Sequence, residues 1–577
     1  MSLSLCLVFF VLLSNSVWTV RSEDAILKAY PEVLAVSNDL VTITWNGVDT
    51  PTIYDTIAIY YPPSSDVTLP IGFIPLSTSS TYKQGYGTVS IPLVNVRDTY
   101  IFRLWLKSTE ASTGPAMPSP LSGNVNITLV ANSNNVTFEN PNAPEKPYLA
   151  FTNSTTEMRL KWISGCSDVP IVNYGLSSNN LNMVAKGTVG TYSMNQMCNG
   201  PANDPNYFRD PGFIQDVVMV GLTESTQYFY NFGSEQSGFS DIYSFVSAPK
   251  PSTEAFIVAF GDLGMQPPFE CNCEMMPPAY LTVKNIETTI SQPWSQNSFV
   301  KKLGLKSSNS QVDTPPAWSV LHIGDISYAR GLAFIWDWYQ ESIKNIASRA
   351  PYMVSIGNHE YDYTKQPFYP SWSDYGGDSG GECGVPFNNR YHMTGYGEAT
   401  NLWYSYEMSG EHDFLIGSEQ YLWLEQDLKS VDRSRTPWVI LSGHRPMYCS
   451  QSGEAEMFAH LRDNLEPLLI ENDVNLCFWA HEHVYERMCA LINGTCQESD
   501  NDAPVHIVIG MAGNTDQSAW DSTSPNHEPQ PDYSMFRAIN YGYTRFYANM
   551  TDLYFEYVGN QRNQVHDNLW LHSKYSN

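Results

Sequence analysis

The spacing of hydrophobic positions divides the chain into stretches of different texture. Between residues 23 and 145 the apolar residues fall in short runs, LVTITW, TIAIYY and YIFRLWL, separated by Pro, Ser, Gly and Asn. Short runs bounded by turn residues predict an antiparallel β-sandwich. The Pro-rich junction NPNAPEKPY interrupts this pattern, and residues 146–248 repeat it with EMRLKWIS, FIQDVVMVGL, TQYFYNFG and YSFVS. A second, fibronectin-like sandwich is expected there. From the linker SAPKPSTEA onward, residues 249–577 alternate β-branched runs with helical stretches such as QYLWLEQDLKSV and MFAHLRDNLEPLLIEN. In the latter, Phe458, Leu461, Leu465, Leu468 and Leu469 follow the spacing of a helix with one buried face. Strands alternating with helices predict a layered α/β domain built of βαβ units. Residues 265–318 are rich in Pro, Ser and Asn and longer than an ordinary connection, so a disordered insertion is expected there rather than a lid.

The N-terminal run LCLVFFVLL is too short to span a bilayer and is followed by a polar segment ending Val20, Arg21, Ser22. Residues 1–22 read as a secretory signal, which places the mature protein in an extracellular, vacuolar or cell-wall compartment. No later run reaches membrane length, so no stable anchor is expected. Sequons at Asn126, Asn135, Asn153, Asn493 and Asn549 agree with secretion. Of ten cysteines, Cys6 leaves with the signal, and the odd remainder requires at least one that is free or pairs with another chain. Cys489 with Cys496, across the short loop ALINGT, is the first expected disulfide and Cys166 with Cys198 the second. Cys477, inside an apolar strand, reads as a buried thiol.

A formal charge of −28 disfavours nucleic acid and anionic membranes as partners. An anionic substrate would need a locally positive site, which bound metal ions can supply.

Candidate chemistry lies at the ends of the later strands. The runs FIVAFGD, SVLHIGDISY, YMVSIGNHE, WVILSGH and NLCFWAHEH each close on a polar residue, where an open α/β sheet presents ligand-binding groups. Singly, Asp262, Asp325, Asn358 and His444 would pass for turn or loop residues. His481 and His483 form an HxH pair that an extended chain would aim to one side, with Glu482 pointing away. Independent turns have no reason to deliver two carboxylates, an amide, three imidazoles and the phenol of Tyr328 together. Oxygen and nitrogen donors of this mixture suit Fe, Zn or Mn. A structural zinc site would be local and usually Cys-rich.

The motifs GDLG, GDISY, GNHE, SGH and AHEH, with PVHIVIGMAGN, YGYTRF and YVGN further on, resemble the purple acid phosphatases of the metallophosphoesterase superfamily. The resemblance covers about residues 147–560 and is strongest to the large plant-type form with a sandwich before the catalytic domain. It implies a two-sheet α/β sandwich flanked by helices, and a binuclear centre of Fe(III) with Zn, Mn or Fe as the divalent ion. Asp262, Tyr328 and His483 would hold Fe(III), Asn358, His444 and His481 the divalent ion, and Asp325 would bridge. Many non-purple relatives place a histidine ligand where this chain has Gly264, so Tyr328 marks the ferric branch. Asn358 and His359 would contact substrate, with protonated His359 the catalytic partner of a phosphoryl or leaving oxygen. Family members often carry histidines after the SGH motif, whereas only His460 follows here, so the leaving-group acid is unassigned. Ala480 replaces a usual glycine.

The implied activity is hydrolysis of phosphate monoesters, by in-line attack of metal-bound hydroxide, on a phosphate ester or nucleotide. A nucleotide pyrophosphatase or phosphodiesterase is the alternative, and a non-catalytic ectodomain with a dead phosphatase fold the third reading. A homodimer is left open.

Overall fold

The computed structural model describes residues 24–107, 127–250, 253–271, 273–306, 313–373, 375–394, 401–405, 408–451, 455–515, 520 and 529–575. The expected signal segment and the Asn126 sequon lie outside these. The chain divides into two compact units.

The first unit takes residues up to 33, 40–91 and 99–136. One sheet has three strands, Ile26–Tyr30, Leu40–Asn46 and Gly87–Pro92. The other has four, Gly72–Pro75, Thr56–Tyr60, Ile101–Lys107 and Ile127–Asn132. In the Leu40–Asn46 strand Val41, Ile43 and Trp45 are buried while their neighbours face outward, the alternation of a half-buried sheet.

The second unit takes residues 34–39, 92–98 and everything from 137 onward. Its sandwich packs a four-stranded sheet, with Glu157–Ser164 and Phe213–Val220 at its centre, against a five-stranded sheet built on Ile171–Gly175 and Gln227–Ser234. Trp162, Tyr230, Phe232 and Phe245 fill the space between them.

Beyond the sandwich, two six-stranded mixed sheets form the α/β domain. In the first, Ala255–Phe260, Trp318–Ile323 and Tyr352–Ser355 run parallel, and the antiparallel strands Gly542–Ala548, Asp552–Gly559 and Gln564–His572 complete it. In the second, Ile440–Gly443, Leu476–Trp479 and Val505–Ile509 run parallel, with Tyr485–Ile492 antiparallel beside them. The helix Ala455–Glu471 packs Phe458, Leu461, Leu465, Leu468 and Leu469 into one apolar core with Cys477 and Trp479 of the second sheet.

Two expectations need correction. The stretch 265–318 is not a disordered insertion where it is described, since it contains the helices Pro277–Ser291 and Ser298–Lys302. The longer helix buries Ala279, Thr282, Val283, Ile286, Thr289 and Ile290, a helical stripe. Thr282 donates to the carbonyl of Ala512 at 2.5 Å and Thr289 shares a hydrogen bond with Tyr543 at 2.7 Å, so polar residue types disguise an inward face. Among the cysteines, Cys489–Cys496 is formed, but Cys198 pairs with Cys383 and leaves Cys166 a buried free thiol. The partner of Cys198 is supplied by a loop 185 residues away. Cys477 is buried and free, as expected.

Among the described residues no helix is long and apolar enough to cross a membrane. Asn135, Asn153 and Asn493 are exposed. The Asn549 amide is engaged in its own turn, accepting from the backbone of Thr551 and Asp552 at 2.8 Å each.

Candidate metal centre

Five strands end at one place. Asp262, Asp325 and Asn358 follow parallel strands of the first sheet, and His444 and His481 follow parallel strands of the second. The carboxyl ends of both sheets therefore face a common point, as open α/β sheets do at ligand sites. The chain reaches it through left-handed backbone: φ is 58° at Asp262, 48° at Asp325, 53° at Tyr328 and 67° at His481. Non-glycine residues in this region cost about 1–3 kcal/mol each and persist only where their surroundings impose them.

The surroundings are built from glycine. A Cβ on Gly357 would run into the backbone nitrogen and Oδ1 of Asp325, and one on Gly324 into the His444 ring. A Cβ on Gly261 would strike that of Ala480, so the departure at 480 is absorbed by its neighbour. Gly264, at φ +60°, lies where a side chain would meet Cγ of Met276 at 2.6 Å and Cδ2 of Tyr328 at 3.1 Å. The HxH segment is not extended. The Glu482 amide donates to the Ala480 carbonyl at 2.7 Å, closing a γ-turn about His481, and the Val484 amide repeats the bond to Glu482. Turn geometry, rather than strand alternation, positions the two imidazoles.

The seven predicted donors form two groups. In one, the Tyr328 hydroxyl lies 3.2 Å from Oδ1 of Asp262 and 3.1 Å from Nε2 of His483, which is 3.6 Å from the same Asp262 oxygen. In the other, Oδ1 of Asn358 lies 2.9 Å from Nε2 of His444 and 3.0 Å from Nδ1 of His481, and the two imidazole nitrogens are 3.3 Å apart. Asp325 belongs to both. Its ligand atoms lie within 4.8 Å of those of His444 and His481, and within the same limit of those of Asp262 and His483. Asp262, Asp325, Tyr328, Asn358 and His444 are almost wholly buried.

Oxygen and nitrogen donor atoms gathered this closely suit a cation. Oδ2 of Asp325 and Nδ1 of His359 are buried without a hydrogen-bond partner. Burial works against ionisation of Asp325, yet His444, His359 and His481 outweigh it and hold its carboxyl well below the usual range. For His444, burial is outweighed by Asp325, Asp262 and Glu411, which raise the imidazole to about 10. A proton on His444 thus does the work of a positive ion. Burial, then Asp262 and Asp325, pushes the Tyr328 phenol far up, so only a strong cation would make it a phenolate. Oxygen and nitrogen donors with no thiolate fit two hard or borderline ions.

His359 donates its backbone N–H to Oδ1 of Asp325 at 3.0 Å, packs its ring at a tilt against Tyr328 with ring centres 4.5 Å apart, and places Nε2 3.7 Å from Oδ2 of Asp325. Burial lowers the basicity of its imidazole against the opposing pull of Asp325 and Asp378. His460 stacks on Trp372 with centroids 4.1 Å apart.

Several contributors went unread in the sequence. Glu360 accepts from the amides of Ile326, Ser327 and Gly357 at 2.9, 3.4 and 3.2 Å, tying together the loops that carry Asp325 and Asn358. Arg445, next to His444, is buried between Glu411 at 2.7 Å and Asp362 at 3.4 Å, and its Nη1 lies 3.3 Å from Nε2 of His481. Asp378 accepts from Nδ2 of Asn358 at 3.0 Å. The GNHE motif pointed toward Glu360; nothing local marks the others.

Comparison with known proteins agrees with this geometry. The profile described as purple acid phosphatase, N-terminal domain, matches residues 144–247. Calcineurin-like phosphoesterase matches 257–485, and iron/zinc purple acid phosphatase-like protein C matches 503–568. "Probable inactive purple acid phosphatase 9" of Arabidopsis thaliana is 39% identical, over 97% of this chain and 87% of that protein. A nucleotide pyrophosphatase/phosphodiesterase of Hordeum vulgare is 32% identical over 44% of this chain and 72% of its own length. The purple acid phosphatase PPD1 from yellow lupin seeds superposes with a TM-score of 0.78 at 28% identity, over 95% of this chain and 96% of that one. Motifs, fold and full-length similarity agree: this chain belongs to the purple acid phosphatase family.

Proposed function

We propose that this protein is a secreted phosphatase that hydrolyses phosphate monoesters at a binuclear Fe(III)–M(II) centre. In this reading Asp262, Tyr328 and His483 hold Fe(III), Asn358, His444 and His481 hold the divalent ion (Zn, Mn or Fe), and Asp325 bridges. The observation that carries it is the membership of Asp325 in both donor groups, which a single-ion site would not require. When bound, the two ions supply Lewis acidity and a water acidic enough to act as a nucleophile below neutral pH.

The chain's own residues do the rest. Two aspartates and a phenolate are its only anionic donors and Asn358 is neutral, so the loaded centre stays cationic and can attract phosphate within an acidic protein. Burial of Asp262 and Asp325 among packed neighbours fixes the donor geometry before substrate arrives. His359, beside Tyr328 and half turned toward Asp325, is placed to donate a hydrogen bond to a phosphoryl or leaving oxygen. Secretion is supported by the N-terminal apolar run and the disulfides.

The Arabidopsis relative described above is named "probable inactive", and full retention of the seven donors is the argument for activity in this chain. The barley relative favours a second reading, nucleotide pyrophosphatase or phosphodiesterase activity at the same centre. Assay of the purified protein at acidic pH against an aryl phosphate monoester, its diester and a nucleoside diphosphate decides between them. Preference for the monoester supports the first reading, preference for the diester or diphosphate the second, and absence of turnover in metal-replete protein overturns both.

A further inference from the structure

A carboxamide can ligate a metal only through its oxygen, yet its two ends are nearly the same shape, so something must choose which end faces the site. With an ion bound, Nε2 of His444 and Nδ1 of His481, which lie 2.9 and 3.0 Å from Oδ1 of Asn358, would turn their lone pairs to it and have no proton with which to choose. On the other side Oδ2 of Asp378 accepts from Nδ2 of Asn358 at 3.0 Å. An ionised carboxylate only accepts, so turning the amide over would set oxygen against oxygen. We infer that Asp378 is a positioning residue that fixes the Asn358 amide with its oxygen toward His444 and His481, and so sets the affinity of that half of the centre for its divalent ion.

The loop that carries Asp378 is held as a positioning device requires. The amide and hydroxyl of Ser379 donate to the carbonyl of Asp362 at 3.1 and 2.6 Å. The amide of Ala202 donates to Gly380 at 3.0 Å and that of Cys198 to Gly381 at 2.9 Å, and the Cys198–Cys383 disulfide locks the same two segments. Gly380 and Gly381 take φ of 60° and 87°, and a Cβ on either would strike backbone, of Arg330 and Asn199 respectively. The segment around Cys198 belongs to the sandwich that precedes the α/β domain, which gives that sandwich a part in shaping the centre.

The inference rests on the binuclear reading and separates from it experimentally. Wild type, Asp378→Asn and Asp378→Ala would be loaded with Fe(III) and titrated with Zn(II) by calorimetry, while the visible band reports the ferric half. Loss of an outer partner of this kind costs roughly 10–100-fold in metal affinity. Asp378→Ala is expected to weaken Zn(II) binding by that factor, with the ferric band and thermal midpoint unchanged. Asp378→Asn, which keeps an acceptor oxygen, is expected to lose less. Unchanged Zn(II) affinity in Asp378→Ala overturns the inference and leaves the centre standing, as does joint loss of Zn(II), the band and thermal stability, which would mark a merely structural residue. A wild type that takes up neither ion overturns the binuclear reading, and this inference with it.

Discussion

A Cβ on Gly264 would press on the ring of Tyr328, lying 3.1 Å from Cδ2 of the phenol, and would strike Cγ of Met276 at 2.6 Å. Glycine at 264 thus leaves room for the tyrosine at 328. In the proposed centre, glycine at 264 leaves the phenol at 328 as the donor to Fe(III).

That coupling makes a prediction at each end. Tyr328→Phe removes the only phenol among the donors and should abolish a tyrosinate-to-iron band while leaving Zn(II) uptake in place. Gly264→Ala, forced against Met276 and into a left-handed backbone, should shift the band and lower the thermal midpoint by an amount equivalent to about 1–3 kcal/mol. A visible spectrum and a melting curve on each variant check both.

Asp325 and His444 should separate by metal count. Asp325 stands in both donor groups, so Asp325→Ala is expected to lose both ions. His444 stands in one, so His444→Ala should lose the divalent ion and keep the iron. Metal analysis after dialysis reads the difference.

Metal uptake should also release protons. His444 is raised to about 10, so near pH 6 the metal-free protein carries a proton there that ligation must displace. Calorimetry in two buffers of different ionisation enthalpy measures this, and divalent affinity should fall as pH is lowered.

Acid stability depends on a group remote from the centre. Burial opposes ionisation of Asp216, but His392, Lys161 and Arg159 outweigh it and hold its carboxyl at about 2. A pKa depressed in the folded state stabilises the protein above the unfolded value near 4, and the contribution disappears as pH falls toward 2. Asp216→Asn should therefore cost about 2 kcal/mol at pH 6 and little at pH 2. Denaturant unfolding at the two pH values tests it.

How much of this was legible in the chain differs from residue to residue. Strands ending in Asp262, Asp325, Asn358, His444 and His481 announce themselves, because apolar run, small residue and polar residue are adjacent in sequence. Gly264 and Tyr328 needed the family resemblance to be read together. Asp378, Arg445 and the Cys198–Cys383 pair were opaque, since their partners lie far along the chain and no local period records them. The Pro277–Ser291 helix was hidden for another reason. Its inward face includes Thr282 and Thr289, whose hydroxyls find tertiary partners in Ala512 and Tyr543. The HxH pair was found by spacing but aimed by the γ-turn at His481.

The central claim is a two-ion centre with a tyrosinate on iron, and one preparation tests it most directly. Protein purified without chelator should be coloured, contain about two metal ions per chain with iron as one of them, and lose its visible band in Tyr328→Phe. Colourless protein that retains neither iron nor a divalent ion after incubation with both would contradict the account.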